Sequence, residues 1–294
     1  MNKYYAFGPL IIEFNDFYAD SVWNLWKWKL DAFAMQEAQN IEADVVVSHA
    51  SLPCPQKNEL LRERKAGFFK QQVWSTEDKG LLWQELWAND GRVALQYYVS
   101  SDWKQIILLQ DNTNSAGLAA FEYLTHILFY AMLKKEVLTF HGTLLECEGN
   151  GVVLSAPSGV GKTTHARLWR DVKNALVING DRSACYYKNG EWVGFGVPWC
   201  GTSGEYMNRM VPIKALVVLE QGPKNVATKL SAQEYVKEVF PHIQYPAWDM
   251  FFTETALDLL QNFLNEIPVY KLVCTPDAEA VTVLYEKLKE QEWK

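Results

Sequence analysis

The stretch VVLSAPSGVGKTTHARLW, Val152 to Trp169, decides how this chain folds. VVLSA is a short apolar run of the kind that forms a buried strand, and KTTHARLW carries helix-forming residues in register for a helix. Between them, Ala156-Pro-Ser-Gly-Val-Gly161-Lys162-Thr163 matches the phosphate-loop pattern G-x-x-x-x-G-K-[ST], the Walker A string, with alanine in the first glycine place. The exchange costs little, because the later glycines, Gly159 and Gly161, must let the backbone approach a phosphate in conformations that a side chain forbids. Strand, loop and helix together set aside the plainer alternative of a glycine-rich turn. Backbone N–H groups from Ser158, Gly159, Val160, Gly161, Lys162, Thr163 and Thr164 are then expected to face a polyphosphate at the positive end of a helix. Lys162 is expected at the β- and γ-phosphates, and the Thr163 hydroxyl at Mg²⁺. The expected cofactors are ATP and Mg²⁺.

Nucleotide chemistry also needs a carboxylate near the metal, and NALVINGDR places Asp181 just past an apolar strand. Asp181 is the candidate for holding Mg²⁺ and for orienting or deprotonating an acceptor, against the simpler role of a turn aspartate. Arg182 stabilises transferring phosphoryl charge or makes a surface ion pair. Tyr186 to Trp192 reads as a hairpin, since Lys-Asn-Gly supplies positive-φ positions. The loop VPWCGTSGEYMNRM, 197–210, offers Trp199 for packing on substrate and Arg209 for phosphate, or Trp199 simply fills a core gap. Cys200 has no nearby histidine in sequence and reads as a packing thiol. His165 is placed facing outward, without a role. His49, His126 and His242 make no metal-ligand pattern, and no protein-only metal site is expected. Strand IKALVVLE, helices near 232–240 and 249–264, strand VYKLVC and helix AEAVTVLYEKLK complete the chain.

Upstream the pattern changes. ADVVVSHA, FFKQQVWS and VALQYYVSSDWKQIILLQ are rich in β-branched and aromatic residues and often alternate, which is strand chemistry. Ser21 to Phe33 suits helix and strand alike, with Trp23, Trp26 and Leu30 at helical spacing. DNTNSAG, 111–117, punctuates the chain before an apolar helix over 116–135. The expected fold is α/β: a β-rich α+β N-terminal domain, 1–110, then a nucleotide-binding domain with a mixed sheet, 111–294. One role for the first domain is acceptor recognition.

Composition bounds the rest. With 294 residues and 49% hydrophobic content the chain can bury a large core, which excludes disorder and coiled coil. A net charge of −7 with scattered Lys and Arg gives no basic stripe for nucleic acid. Twelve tryptophans read as core filling. Five widely spaced cysteines, without CxxC, suit buried thiols in a reducing compartment. MNKYYAFGPLIIEFND lacks the features of a signal peptide, and Glu122 and His126 interrupt the longest apolar stretch, so a cytoplasmic protein without a membrane span is expected. The oligomeric state is left open.

With His141-Gly142 on the strand before the glycine loop and Asp181 after the next, the order resembles the HPr kinase/phosphorylase family and its PEP-carboxykinase-like P-loop relatives. The resemblance spans Phe140 to Leu219 and is closest over FHGTLLECEGNGVVLSAPSGVGKTTHARLW. It implies a PEP-carboxykinase-like fold and phosphoryl transfer from ATP to a serine-type hydroxyl of a peptide, protein or small molecule. It also implies His141 near the transferred phosphate, Lys162 and Thr163 on ATP and Mg²⁺, and Asp181 at the acceptor hydroxyl. Two departures matter. The family usually carries adjacent aspartates where this chain has Gly180-Asp181, so one carboxylate does both jobs, or His141 or Glu205 assists. The family's later glycine-rich signature is replaced by FGVPWCGTSGEYMNR, which points away from HPr as substrate. That loop is similar to HPr-kinase-like proteins of peptide-modification gene clusters, which implies a short peptide acceptor. The competing function is a nucleotide-gated binding module without phosphotransfer; ATP hydrolysis and PEP-carboxykinase activity rank behind both.

Overall fold

The computed structural model describes residues 3–15, 26–36, 41–157, 159–290 and 293. It is a mixed α/β structure with two large mixed sheets, in two compact units, Met1–Ala131 and Met132–Lys294. Ser158 and Trp23 lie outside the described residues.

The first unit is an eight-stranded sheet. Its strands are β1 (Lys3–Phe7), β2 (Leu10–Asn15), β3 (Val45–His49), β4 (Lys57–Ala66), β5 (Phe69–Thr76), β6 (Leu81–Trp87), β7 (Val93–Val99) and β8 (Gln105–Asp111). The order is β1-β2-β3-β8-β7-β6-β5-β4. β3 pairs in parallel with β2 and β8; the other neighbours are antiparallel. The apolar helix α1 (Leu118–Leu133) packs on this sheet. Trp26 Nε1 donates to the Gly117 carbonyl (3.0 Å), Tyr97 Oη to Ala120 (2.9 Å) and Tyr123 Oη to Gln84 (3.3 Å). Those contacts put the unit boundary at the end of α1, beyond the DNTNSAG punctuation. Residues 26–30 are helical, one of the two forms that the stretch allows, and Trp26 and Leu30 are buried in the core. No helix among the described residues is long and apolar enough to cross a membrane.

The second unit contains strands β9 (Leu138–Cys147), β10 (Asn150–Ser155), β11 (Leu176–Asn179), β12 (Arg182–Lys188), β13 (Glu191–Phe195), β14 (Met210–Gln221), β15 (Val226–Lys229) and β16 (Val269–Cys274). Its helices are α2 (Lys162–Lys173), α3 (Ala232–Val239), α4 (Met250–Glu266) and α5 (Ala278–Lys289). The hairpin β12–β13 turns at Asn189 and Gly190, both at positive φ, as Lys-Asn-Gly predicts. Asp249 and Asp277 cap α4 and α5 with their side chains. β15 carries no alternation over its four residues and was not legible beforehand.

One topological detail places the site. β9 has three partners: Leu138 to His141 pair with β12 and Leu144 to Glu146 with β11, while Gly142 to Cys147 also pair with β10. The β10 pairing ends at Gly142, next to His141. Arg182 at the start of β12 is opposite His141, and Ser155 at the end of β10, where the glycine loop leaves, is opposite Gly142. The glycine loop therefore leaves the sheet beside His141 and Arg182.

Candidate functional site

The glycine loop joins the end of β10 to α2, and Gly159 and Gly161 take φ of 83° and 120°, which only glycine adopts freely. Gly161 is the N-cap of α2, so the first N–H groups of the helix have no side-chain cap. Val160 and Thr163 are half-buried and Thr164 is exposed. Lys162 is buried, and its Nζ donates to the carbonyls of Ala156 (2.7 Å) and Pro157 (3.4 Å) and lies 3.2 Å from His141 Nε2. Burial lowers its pKa, offset by nearby Asp181 and reinforced by Arg182.

Around the His141–Gly142 step of β9 four side chains converge. Arg182 Nη1 is 2.9 Å from His141 Nδ1, Arg182 Nε is 3.3 Å from Asp181 Oδ2, and Asp181 Oδ1 is 3.4 Å from His141 Nδ1. Burial pushes the His141 pKa down to about 4; Asp181 opposes this, and Lys162, Arg182 and His242 add to it. The imidazole is therefore neutral at pH 7 and carries one proton. With that proton on Nδ1 the ring donates toward Asp181 and accepts from Lys162; with it on Nε2 it accepts from Arg182. Counting Lys162, Arg182 and Asp181, the cluster holds a net positive charge beside the loop, which favours an anion.

Asn179 holds the turn that presents Asp181. Fully buried, it accepts from the N–H groups of Asp181 (3.0 Å) and Arg182 (2.7 Å) through Oδ1. Its Nδ2 donates to the carbonyls of Val197 (2.9 Å) and Trp199 (3.0 Å). One side chain thus fixes the Asp181 turn and anchors the 197–210 loop, a role that sequence reasoning missed. The available signal was a polar residue ending an apolar strand two positions before an aspartate. His242 was missed too. It ends the 3₁₀ turn Phe240–His242, which the Phe140–Ile243 bridge draws to β9, and it lines a 340 Å³ cavity with Pro157, Val160 and Glu238.

The remaining expected site residues lie elsewhere. Trp199 is 1% exposed and fills the core, the alternative weighed for it. Arg209 forms a bidentate pair with Glu146 of β9, so its charge is already matched. Glu205 reaches Arg170 on α2 (2.6 Å) instead of the Asp181 cluster. His165 is a correction: it is 3% exposed, and burial lowers its pKa to about 4. Lys162, His165, Ala166 and Trp169 form one buried stripe along α2, at the i, i+3, i+4, i+7 spacing of a helix face. Among the described residues no group of three or more His, Cys, Asp or Glu gathers as a metal site. Cys147, Cys185 and Cys200 are buried, whereas Cys54 is exposed.

These histidines set a pH dependence. Between the folded pKa of about 4 and the ordinary value of 6.5, the unfolded chain binds more protons, so stability falls as pH drops through that window and levels off below it. Between pH 7 and pH 5 the loss from His165 is about 2 kcal/mol. Urea unfolding at both pH values is the measurement, and His165→Leu is expected to remove most of that share. An unchanged pH response in the variant counts against a buried neutral His165.

The fold and site define a mixed α/β protein whose second unit sets a glycine loop against a Lys–His–Asp–Arg cluster. The chain belongs to the family described as SynChlorMet cassette protein ScmC, whose model matches residues 107–276. No curated protein matches the chain. Among solved structures, the Hpr(Ser) kinase/phosphatase from Coxiella burnetii is similar over 52% of this chain and 98% of that one, at 11% identity and a TM-score of 0.32.

Proposed function

We propose that the second unit is a PEP-carboxykinase-like P-loop kinase that binds ATP and transfers its γ-phosphoryl group to a serine-type hydroxyl of a peptide, protein or small molecule. One observation carries this: Lys162, His141, Asp181 and Arg182 meet beside the glycine loop, so a cationic cradle and a carboxylate face the same point. The loop N–H groups and the start of α2 take the phosphates. Lys162, turning from the Ala156 carbonyl, and Arg182 balance the charge on the transferring group. Asp181 accepts the acceptor's proton, and His141 holds its carboxylate in place. The Thr163 hydroxyl and the Asp181 carboxylate are hard oxygen donors that suit Mg²⁺ and are the residues to hold it. When bound, the ion neutralises phosphate oxygens during transfer. A peptide acceptor is the narrower form of the proposal.

The second reading, a nucleotide-gated binding module, is favoured by one feature: a side chain at position 180 has no room beside Ser203, so the second carboxylate usual in such kinases is missing. Incubation with γ-labelled ATP, Mg²⁺ and a serine-containing peptide library separates the two. Label on a hydroxyl supports the kinase; ATP binding with no transfer to acceptor or water supports the module. Lys162→Ala removes a charge-assisted contact of about 1.5–3 kcal/mol, so ATP affinity is expected to fall roughly 10- to 100-fold by calorimetry. Unchanged affinity overturns the phosphate-loop assignment in either reading.

A further inference from the structure

A groove of about 500 Å³ opens on the outer side of the glycine loop, within the size range of small-molecule sites. Its walls come from Gly159 to Gly161, from the first turns of α2, and from the carboxyl ends of the parallel strands β14 and β16 with the turns that follow them. Ligands of open α/β sheets sit at such strand ends. Val160, Leu168, Leu219 and Pro276 make the lining largely apolar. The charged lining residue, Glu220, is engaged by Lys271 at 2.6 Å. A flat, uncharged ring fits these walls better than an ionic group does.

His165 gives the groove its polar handle. The residue lines the groove, is 3% exposed, and neither ring nitrogen has a hydrogen-bond partner. Buried polar atoms are nearly always paired, so an imidazole left unpaired beside a cavity signals a ligand. Both nitrogens are covered, so contact with a ligand requires the ring to turn about χ2 toward the groove. A neutral imidazole offers one donor and one acceptor, which matches the hydrogen-bonding edge of a heterocyclic base. We propose that this groove seats the base of the nucleotide whose phosphates lie on the adjoining glycine loop, and that His165 hydrogen-bonds to that base. The inference rests on the phosphate-loop reading above and adds base recognition to it.

Inorganic tripolyphosphate separates the two layers, because it uses the loop and cannot use the groove. Affinities of ATP, GTP, CTP, UTP and tripolyphosphate are measured by calorimetry on the full chain and on His165→Leu. The wild type is expected to bind at least one nucleotide tenfold or more tighter than tripolyphosphate, and the variant to shrink that margin below about threefold with tripolyphosphate unchanged. Equal affinity for nucleotides and tripolyphosphate in the wild type, or an intact margin in the variant, overturns base recognition and leaves the phosphate loop standing. Binding of none of the five overturns both. A second readout needs no variant: Cys274 lines the same groove, so a nucleotide should slow its alkylation by a maleimide, followed by peptide mass, while tripolyphosphate should not. Equal labelling with either ligand counts against an occupied groove.

Discussion

Asp181→Asn is expected to lower phosphoryl transfer about a thousandfold, mid-range for loss of a general base, while ATP affinity measured without Mg²⁺ stays within about threefold. The asparagine keeps the size of the side chain and can still meet Arg182, but it cannot take a proton or bear charge. Asn179 fixes the backbone N–H groups of Asp181 and Arg182 from outside the carboxylate, so the turn survives the change. Arg182 loses one carboxylate partner at 3.3 Å and keeps its contact with His141 Nδ1 at 2.9 Å. Three outcomes are distinguishable by single-turnover assay with parallel ATP and Mg²⁺ titrations. Transfer lost with ATP retained marks a role at the acceptor. Transfer and Mg²⁺-dependent affinity lost in step mark a metal ligand alone. Undiminished transfer removes Asp181 from the reaction.

What could be read beforehand divides by range along the chain. The glycine loop, the strand before it, α2 and the β12–β13 hairpin are local patterns, and each lies where its residues predict. His141, Lys162 and Asp181 were singled out in sequence and do meet in space. What brings them together is not local: β12 and β10 meet β9 at the neighbouring residues His141 and Gly142, and no residue on β9 announces that pairing. Arg209 was assigned to phosphate because nothing nearby shows that Glu146, sixty-three positions upstream, claims it. His242 reaches the site through a bridge between segments a hundred residues apart. His165 is different, for its place four residues before Trp169 and three after Lys162 was visible. A buried helical stripe spans about 100°, so the face that buries Ala166 and Trp169 takes in His165 as well.

Gly180→Asp, which sets a second carboxylate beside Asp181, is expected to cost about 3 kcal/mol of stability instead of adding activity. A Cβ built at position 180 lies 2.5 Å from the Ser203 Cβ and closer still to its hydroxyl. Ser203 cannot swing away cheaply, because its hydroxyl donates to the Cys200 carbonyl (2.6 Å) and accepts from the Glu205 N–H (3.2 Å). The backbone is no freer: Gly180 N–H donates to the Glu205 carbonyl (3.0 Å), and its own carbonyl accepts from Thr143 (2.9 Å). The 197–210 loop therefore packs directly on the strand end that carries Asp181. Denaturant unfolding of Gly180→Asp, Ser203→Gly and the double variant forms a cycle in which the double variant should recover more than half of the loss. A Gly180→Asp protein as stable as wild type would mean that the loop does not press on this position. The double variant also tests the lone carboxylate. If Asp181 accepts the proton and holds the metal by itself, the added Asp leaves the transfer rate at or below that of the wild type. A rate that rises severalfold in the double variant, from a wild type that binds ATP and transfers poorly, would show that closure over Gly180 is what separates holding a phosphate from moving it.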